Sequence, residues 1–177
     1  MKAEENNQIR SAAIAALPII IVSMMIGVLS QIKIPLPFSL VPFTGQVFGV
    51  LLAGGLLGKE RGAIATMLYL LEGAMGLPVF AGGSSGIPVL IGPHAGYLLS
   101  FPLEAFLFGW ALEQKWKYFF ALFVPFVNLA FGTLGLLLYM SAKQALAMGF
   151  YPFILADIAK TLLVFSIIRR PLWKKTS

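Results

Sequence analysis

Gly73-Ala-Met-Gly-Leu-Pro-Val-Phe80-Ala-Gly-Gly-Ser-Ser-Gly-Ile-Pro-Val-Leu90-Ile-Gly-Pro-His94-Ala-Gly-Tyr97 carries no charged side chain unless His94 titrates, yet it is crowded with glycine and proline. Long apolar runs flank it on both sides. A water-exposed loop would use charged and polar residues, so this stretch reads as irregular backbone packed into protein at or below a membrane surface. Such backbone is tolerated at that depth only where it is buried or lines a cavity, because an unpaired N–H or C=O facing lipid costs several kcal/mol. The first expectation is therefore a membrane protein with a cavity near one face.

Composition agrees. Hydrophobic residues make up 59% of the 177 positions and charged residues 11%, with a mean hydropathy of +0.89, whereas soluble domains carry roughly a quarter charged residues. The chain has room for one all-α membrane domain over residues 1–177, without internal repeats. It has no cysteine and one histidine, which excludes disulfides and thiolate metal sites and leaves no metal constellation. Gly82-Gly83-Ser84-Ser85-Gly86 lacks the lysine of a phosphate-binding loop, so the chain cannot use ATP by itself. Ser84 and Ser85 have no evident base. The net charge of +6 is better explained by membrane orientation than by nucleic acid.

Six membrane helices are expected at about 11–32, 43–57, 62–77, 95–112, 118–139 and 151–168. The first run is too long for a signal-peptide core and spans about 33 Å as a helix. Pro18 would kink it. Pro35, Pro37 and Pro42 enforce an extended connection after it. The second run reaches only about 22 Å as a helix, short of the hydrocarbon core. With six spans both termini share a side. Lys2, Arg10, Lys59, Arg61, Lys115, Lys117, Arg169, Arg170, Lys174 and Lys175 then fall inside, against Lys33 and Lys143 outside. Trp110, Trp116 and Trp173 fit anchors at the inner boundary. This orientation puts the glycine-rich stretch and its pocket on the outer face.

Four ionisable residues fall within expected spans: Glu72, Glu104, Asp157 and Lys160. Each costs at least about 2.5–3.5 kcal/mol near the bilayer centre, so all four should face the bundle interior. Asp157 and Lys160, at i and i+3, share a helix face roughly 9–14 Å in from the start of the last helix, the depth of a pocket floor. They form either a ligand site or an ion pair that locks helices together. Glu72 and Glu104 are protonated, paired, turned to a polar neighbour or in contact with a ligand. His94 is a ligand contact or a local hydrogen-bonding residue, and Gln46 and Asn128 serve a ligand or link helices. Ala12 and Ala16 form a small-x-x-x-small pair that suits close helix approach.

Four motifs can be taken together: Leu77-Pro78-Val79-Phe80-Ala81-Gly82-Gly83, Gly92-Pro93-x-x-Gly96-Tyr97-Leu98, Pro42-Phe43-Thr44-x-Gln46 and Ala156-Asp157-x-x-Lys160. In that order and spacing the chain resembles the BioY family, the biotin-binding S components of energy-coupling factor transporters, over nearly its whole length. It departs from the usual pattern at His94, Ala95, Glu72 and Glu104. The resemblance implies a bundle that captures biotin from outside and partners a transmembrane T component and two ATPase subunits. It further implies that the S component topples in the membrane to release its vitamin. On that resemblance Asp157 and Lys160 match the biotin-site pair, Gly82, Gly83, Ser84, Ser85 and Gly86 the pocket-lining loop, and Ala12 with Ala16 the surface for the T component. Gln46, Asn128, Phe80 and Tyr97 complete the expected ligand set, the last two as apolar walls. No catalytic residue, resident cofactor, metal or nucleic acid is expected. The competing readings are an S component for another vitamin, an intramembrane enzyme using Asp157 with Glu72 or Glu104, and a structural subunit.

Overall fold

The computed structural model describes residues 2–168, save the side chains of Lys2, Ala3, Glu5, Ile9, Ser11 and Ala12. Arg169, Arg170, Trp173, Lys174 and Lys175, assigned above to the inner boundary, lie outside the described residues, as does the side chain of Ala12.

Among the described residues the chain forms eight α-helices, a 3-10 turn and a two-stranded ribbon. α1 runs Lys2–Ser30, beginning in the polar segment that the hydropathy reading left outside the helix, with Pro18 inside it. The short strands β1 (Lys33–Ile34) and β2 (Phe43–Thr44) then pair antiparallel, Lys33 opposite Thr44. That pairing withdraws Phe43 and Thr44 from the second helix, so α2 occupies Gln46–Leu57. α3 (Lys59–Ala74) starts within the charged turn, where the Lys59 ammonium lies 2.9 Å from the Glu113 carboxylate.

Past α3 the glycine-rich stretch becomes the 3-10 turn Ala81–Gly83 and a single helical turn, α4 (Ile87–Leu90). α5 (Ala95–Glu113) and α6 (Lys117–Leu136) follow. α6 stops three residues short of the Tyr139 expected from hydropathy. α7 (Ala142–Gly149) and α8 (Tyr151–Ile167) complete the bundle. Sequence reading missed α7. Its start could have been found from Ser141-x-x-Gln144, a capping-box pattern in which the Ser141 N–H donates to Gln144 Oε1 at 3.2 Å.

α5 is the central element, packed against α2, α3 and α6. Its approach to α6 depends on small residues. A Cβ on Gly132 would occupy the place of the Tyr97 ring, and one on Gly96 would meet the Phe131 carbonyl. The main core draws Ile26 from α1, Val50 and Leu51 from α2, Tyr69 from α3, and Phe101 and Phe108 from α5.

Polarity is distributed opposite to that of a soluble bundle. Large apolar side chains stand exposed along α1 (Ile14, Met24, Val28), α6 (Phe119, Phe123, Leu134) and α8 (Leu155, Leu162, Leu163). Ser23, Thr66, Ser100, Glu104, Asn128, Asp157 and Lys160 are buried. An apolar exterior around buried polar groups is the arrangement that hydrocarbon solvent demands. Among the described residues four segments are long and apolar enough to cross a membrane: Asn6–Ser30, Ala95–Glu113, Lys117–Leu136 and Ala142–Ile167. α2 is apolar but shorter.

Candidate ligand-binding site

α8 supplies the charged centre. Tyr151-Pro152 opens it with proline in the first turn, where the missing N–H costs nothing. The i, i+3 spacing then brings Lys160 Nζ to 2.8 Å from Asp157 Oδ1. Both residues are buried, at 2% and 7% exposure. The Lys160 ammonium also stands 4.3 Å from the centroid of the Phe43 ring, near enough for a cation–π contact. A buried pair of this kind is costly to desolvate and an apolar pair would pack at least as well, so stability alone does not account for it.

α6 adds Asn128, 1% exposed. Its amide donates to the Tyr97 carbonyl at 2.9 Å and to Ser100 Oγ at 2.8 Å. A carbonyl only accepts, which fixes nitrogen on that side and turns Oδ1 the other way. That oxygen is buried and has no partner among the described residues. Gln46, at the start of α2, differs: it donates to Tyr69 OH at 2.7 Å and accepts from Thr44 Oγ1 at 3.0 Å. The Gln46 amide is engaged at both ends by neighbours, whereas the Asn128 oxygen is not.

These groups line a partly open, largely apolar cavity, the concave kind of site that small molecules occupy. Phe80, Phe101, Leu98, Leu129 and Phe153 provide apolar walls. Lys33, Ala81, Ser84 and His94 line its more exposed end. The loop there is held by backbone bonds: Gly86 N–H donates to the Gly73 carbonyl at 2.7 Å and Phe80 N–H to that of Ser84 at 3.0 Å. The C-terminal end of α1 supports it, with Ser30 Oγ donating to the Val79 carbonyl. Tyr97, besides facing the cavity, donates its hydroxyl to the Gly149 carbonyl at 2.7 Å and so ties α5 to α7.

The family model described as BioY family matches residues 3–177. The chain belongs to the BioY family. It is 40% identical over 142 residues to the biotin transporter BioY of Thermotoga maritima, covering 77% of this chain and 84% of that one. With biotin transporter BioY2 of Lactococcus lactis subsp. cremoris it shares 38% identity over 167 residues, 90% and 88% of the two chains. Its fold is similar to the crystal structure of the S-component for biotin from an ECF-type ABC transporter. The TM-score is 0.80 at 28% identity, over 97% of this chain and 94% of that one.

Within this BioY-family chain, the cavity gathers Gln46, Phe80, Ser84, Tyr97, Asn128, Asp157 and Lys160 of the residues expected from sequence. It does not gather Gly82, Gly83, Ser85 or Gly86 onto its lining. Gly82 and Gly83 are exposed and take φ of +68° and +76°, a region side chains rarely adopt. They shape the loop that presents Ala81 and Ser84. Sequence reading treated Lys33 only as a boundary charge, and it did not include Thr44, Phe101 or Phe153 among the ligand residues. Thr44 belongs to a motif quoted above, and Phe101 lies one helical turn beyond Tyr97 on α5. Lys33 has no local signal, since a two-residue strand has no readable periodicity.

The remaining ionisable groups separate. Glu72 accepts from Ser23 Oγ at 2.7 Å, linking α3 to α1. His94 Nε2 lies 2.9 Å from the Leu40 carbonyl, to which it donates. Glu104 is wholly buried, off the cavity lining, and neither carboxyl oxygen has a partner among the described residues. Ala16, on the outer face of α1, is exposed.

Proposed function

We propose that this chain is the biotin-binding S component of an energy-coupling factor transporter, taking biotin from the outer side of the plasma membrane. The family membership, the relatives named as biotin transporters and the similar S-component for biotin support this reading. The observation that carries it to the atoms of this chain is the buried set of Asp157, Lys160 and the unpartnered Asn128 Oδ1 beside apolar walls. A ureido ring has two N–H donors and one carbonyl acceptor. Asp157 and Asn128 accept the two N–H groups, Lys160 donates to the carbonyl, and the aromatic walls take the bicyclic body.

In this reading six helices cross the membrane, α2 and α3 as short spans sheltered by their neighbours, with both termini cytoplasmic. The Lys59 turn and the glycine-rich loop lie at opposite ends of α3, and the cations concentrated beside the former support an outer position for the latter. The chain holds no resident cofactor or metal and does not bind nucleic acid. A T component docks on α1 at Ala12 and Ala16, and two ATPase subunits supply the energy. Toppling of the whole subunit then releases biotin inside.

The test is saturation binding of radiolabelled biotin to detergent-purified protein. Nanomolar binding, about −12 kcal/mol, displaced by biotin but not by thiamin or riboflavin, is expected. Displacement by another vitamin, or no binding by a folded and monodisperse sample, overturns the assignment.

A further inference from the structure

We infer that Lys33 selects for an acidic tail on the bound ligand, its ammonium taking a terminal carboxylate at the exposed end of the cavity. The inference rests on the biotin reading above and adds the direction in which the ligand lies and the group that reads its charge. Three observations carry it.

The first is placement. Lys33 faces Thr44 across the β1–β2 ribbon, and directly opposed residues project to the same face of an antiparallel pair. Both residues line the cavity. The Lys33 stem lies over Gly82, where an added Cβ would come within 2.8 Å of Cδ and 3.3 Å of Nζ. The bare glycine backbone leaves the space in which the lysine chain lies.

The second is availability. Lys160 is already paired with Asp157, and His94 commits its Nε2–H to the Leu40 carbonyl. Among the described residues no carboxylate lies in ion-pair contact with Lys33. The third is charge balance. The cavity lining holds two ammonium groups and one carboxylate, an excess of one positive charge that a monoanion neutralises. A ligand with its neutral polar head on the buried Asp157, Lys160 and Asn128 end directs its other terminus toward Lys33. Biotin has that polarity.

The experiment compares biotin with biotinamide, a neutral ligand of nearly the same shape, on wild type, Lys33→Met and Lys33→Arg in detergent. A charge-assisted contact predicts that wild type prefers biotin by about tenfold to a hundredfold, and that rising ionic strength narrows the preference. Lys33→Met should bind both ligands equally, at the wild-type affinity for biotinamide, and Lys33→Arg should retain the preference. Equal binding of the two ligands by wild type, a preference that survives in Lys33→Met, or an equal loss for both ligands in Lys33→Met overturns the role of Lys33 and leaves the biotin reading standing. A folded wild type that binds neither ligand overturns the biotin reading and this inference with it.

Discussion

Lys160 donates to Asp157 across 2.8 Å in a cavity whose walls include Phe80, Phe101, Leu129 and Phe153. Removing either partner strands the other, a loss of about 3–5 kcal/mol for a buried pair. Lys160→Met should therefore lower both the apparent melting temperature and biotin affinity, the latter by about a hundredfold or more. The double variant Asp157→Asn, Lys160→Met separates the two effects. With no stranded charge it should recover most of the thermal stability while still failing to bind biotin. Recovery of binding in the double variant would make the pair a structural lock. Asn128 illustrates the same distinction without charge: its nitrogen holds α6 to α5, and its buried oxygen has no partner among the described residues.

At the scale of elements, the cavity wall depends on how closely α5 and α6 approach. Tyr97 lies against Gly132 where any side chain would displace its ring, whereas a Cβ on Gly135 would stop 3.2 Å from Gly96 and needs only a small adjustment. Gly132→Ala is thus expected to lower thermal stability by about 1–3 kcal/mol, the range for overpacking. It should weaken biotin binding as well, because the displaced ring forms part of the wall. Gly135→Ala should be markedly milder on both readings. Equal effects of the two substitutions in melting and binding assays would contradict this packing account. The glycine-rich loop is held differently, by backbone bonds to α3 and by Ser30 of α1, so its shape follows the ends of two helices rather than its own side chains.

For the whole molecule, orientation is the property that function needs, and the absence of cysteine makes it directly measurable. Single cysteines at Ser85, in the glycine-rich loop, and at Lys115, in the turn between α5 and α6, should label from opposite sides of intact cells. A membrane-impermeant thiol reagent added outside should reach position 85 and spare position 115. The reverse pattern would invert the topology, and labelling of both would refute the separation of the two loops by the membrane. The exposed outer face of α1 belongs to this scale too, because Ala16 is free to meet a partner only if the bundle does not cover it, and the bundle does not.

How much of this could be read from the amino-acid order depends on the range of the interaction involved. The scarcity of charge declares a membrane protein, because each lipid-facing ion is too expensive to keep. The Asp157–Lys160 contact was legible because i, i+3 spacing on a helix is local geometry, and the four spaced motifs point to the BioY family before any coordinates. The sequence did not reveal that Phe43 and Thr44 leave the second helix to pair with Lys33 and Ile34, since that pairing is set by a turn across three prolines. Nor did it show that Gly82, Gly83 and Gly86 shape the loop while Ala81 and Ser84 face inward. Only the tertiary structure placed Lys33 at the cavity and left Asn128 Oδ1 without a partner. Both facts follow from contacts between residues far apart in the chain, and no local periodicity records them.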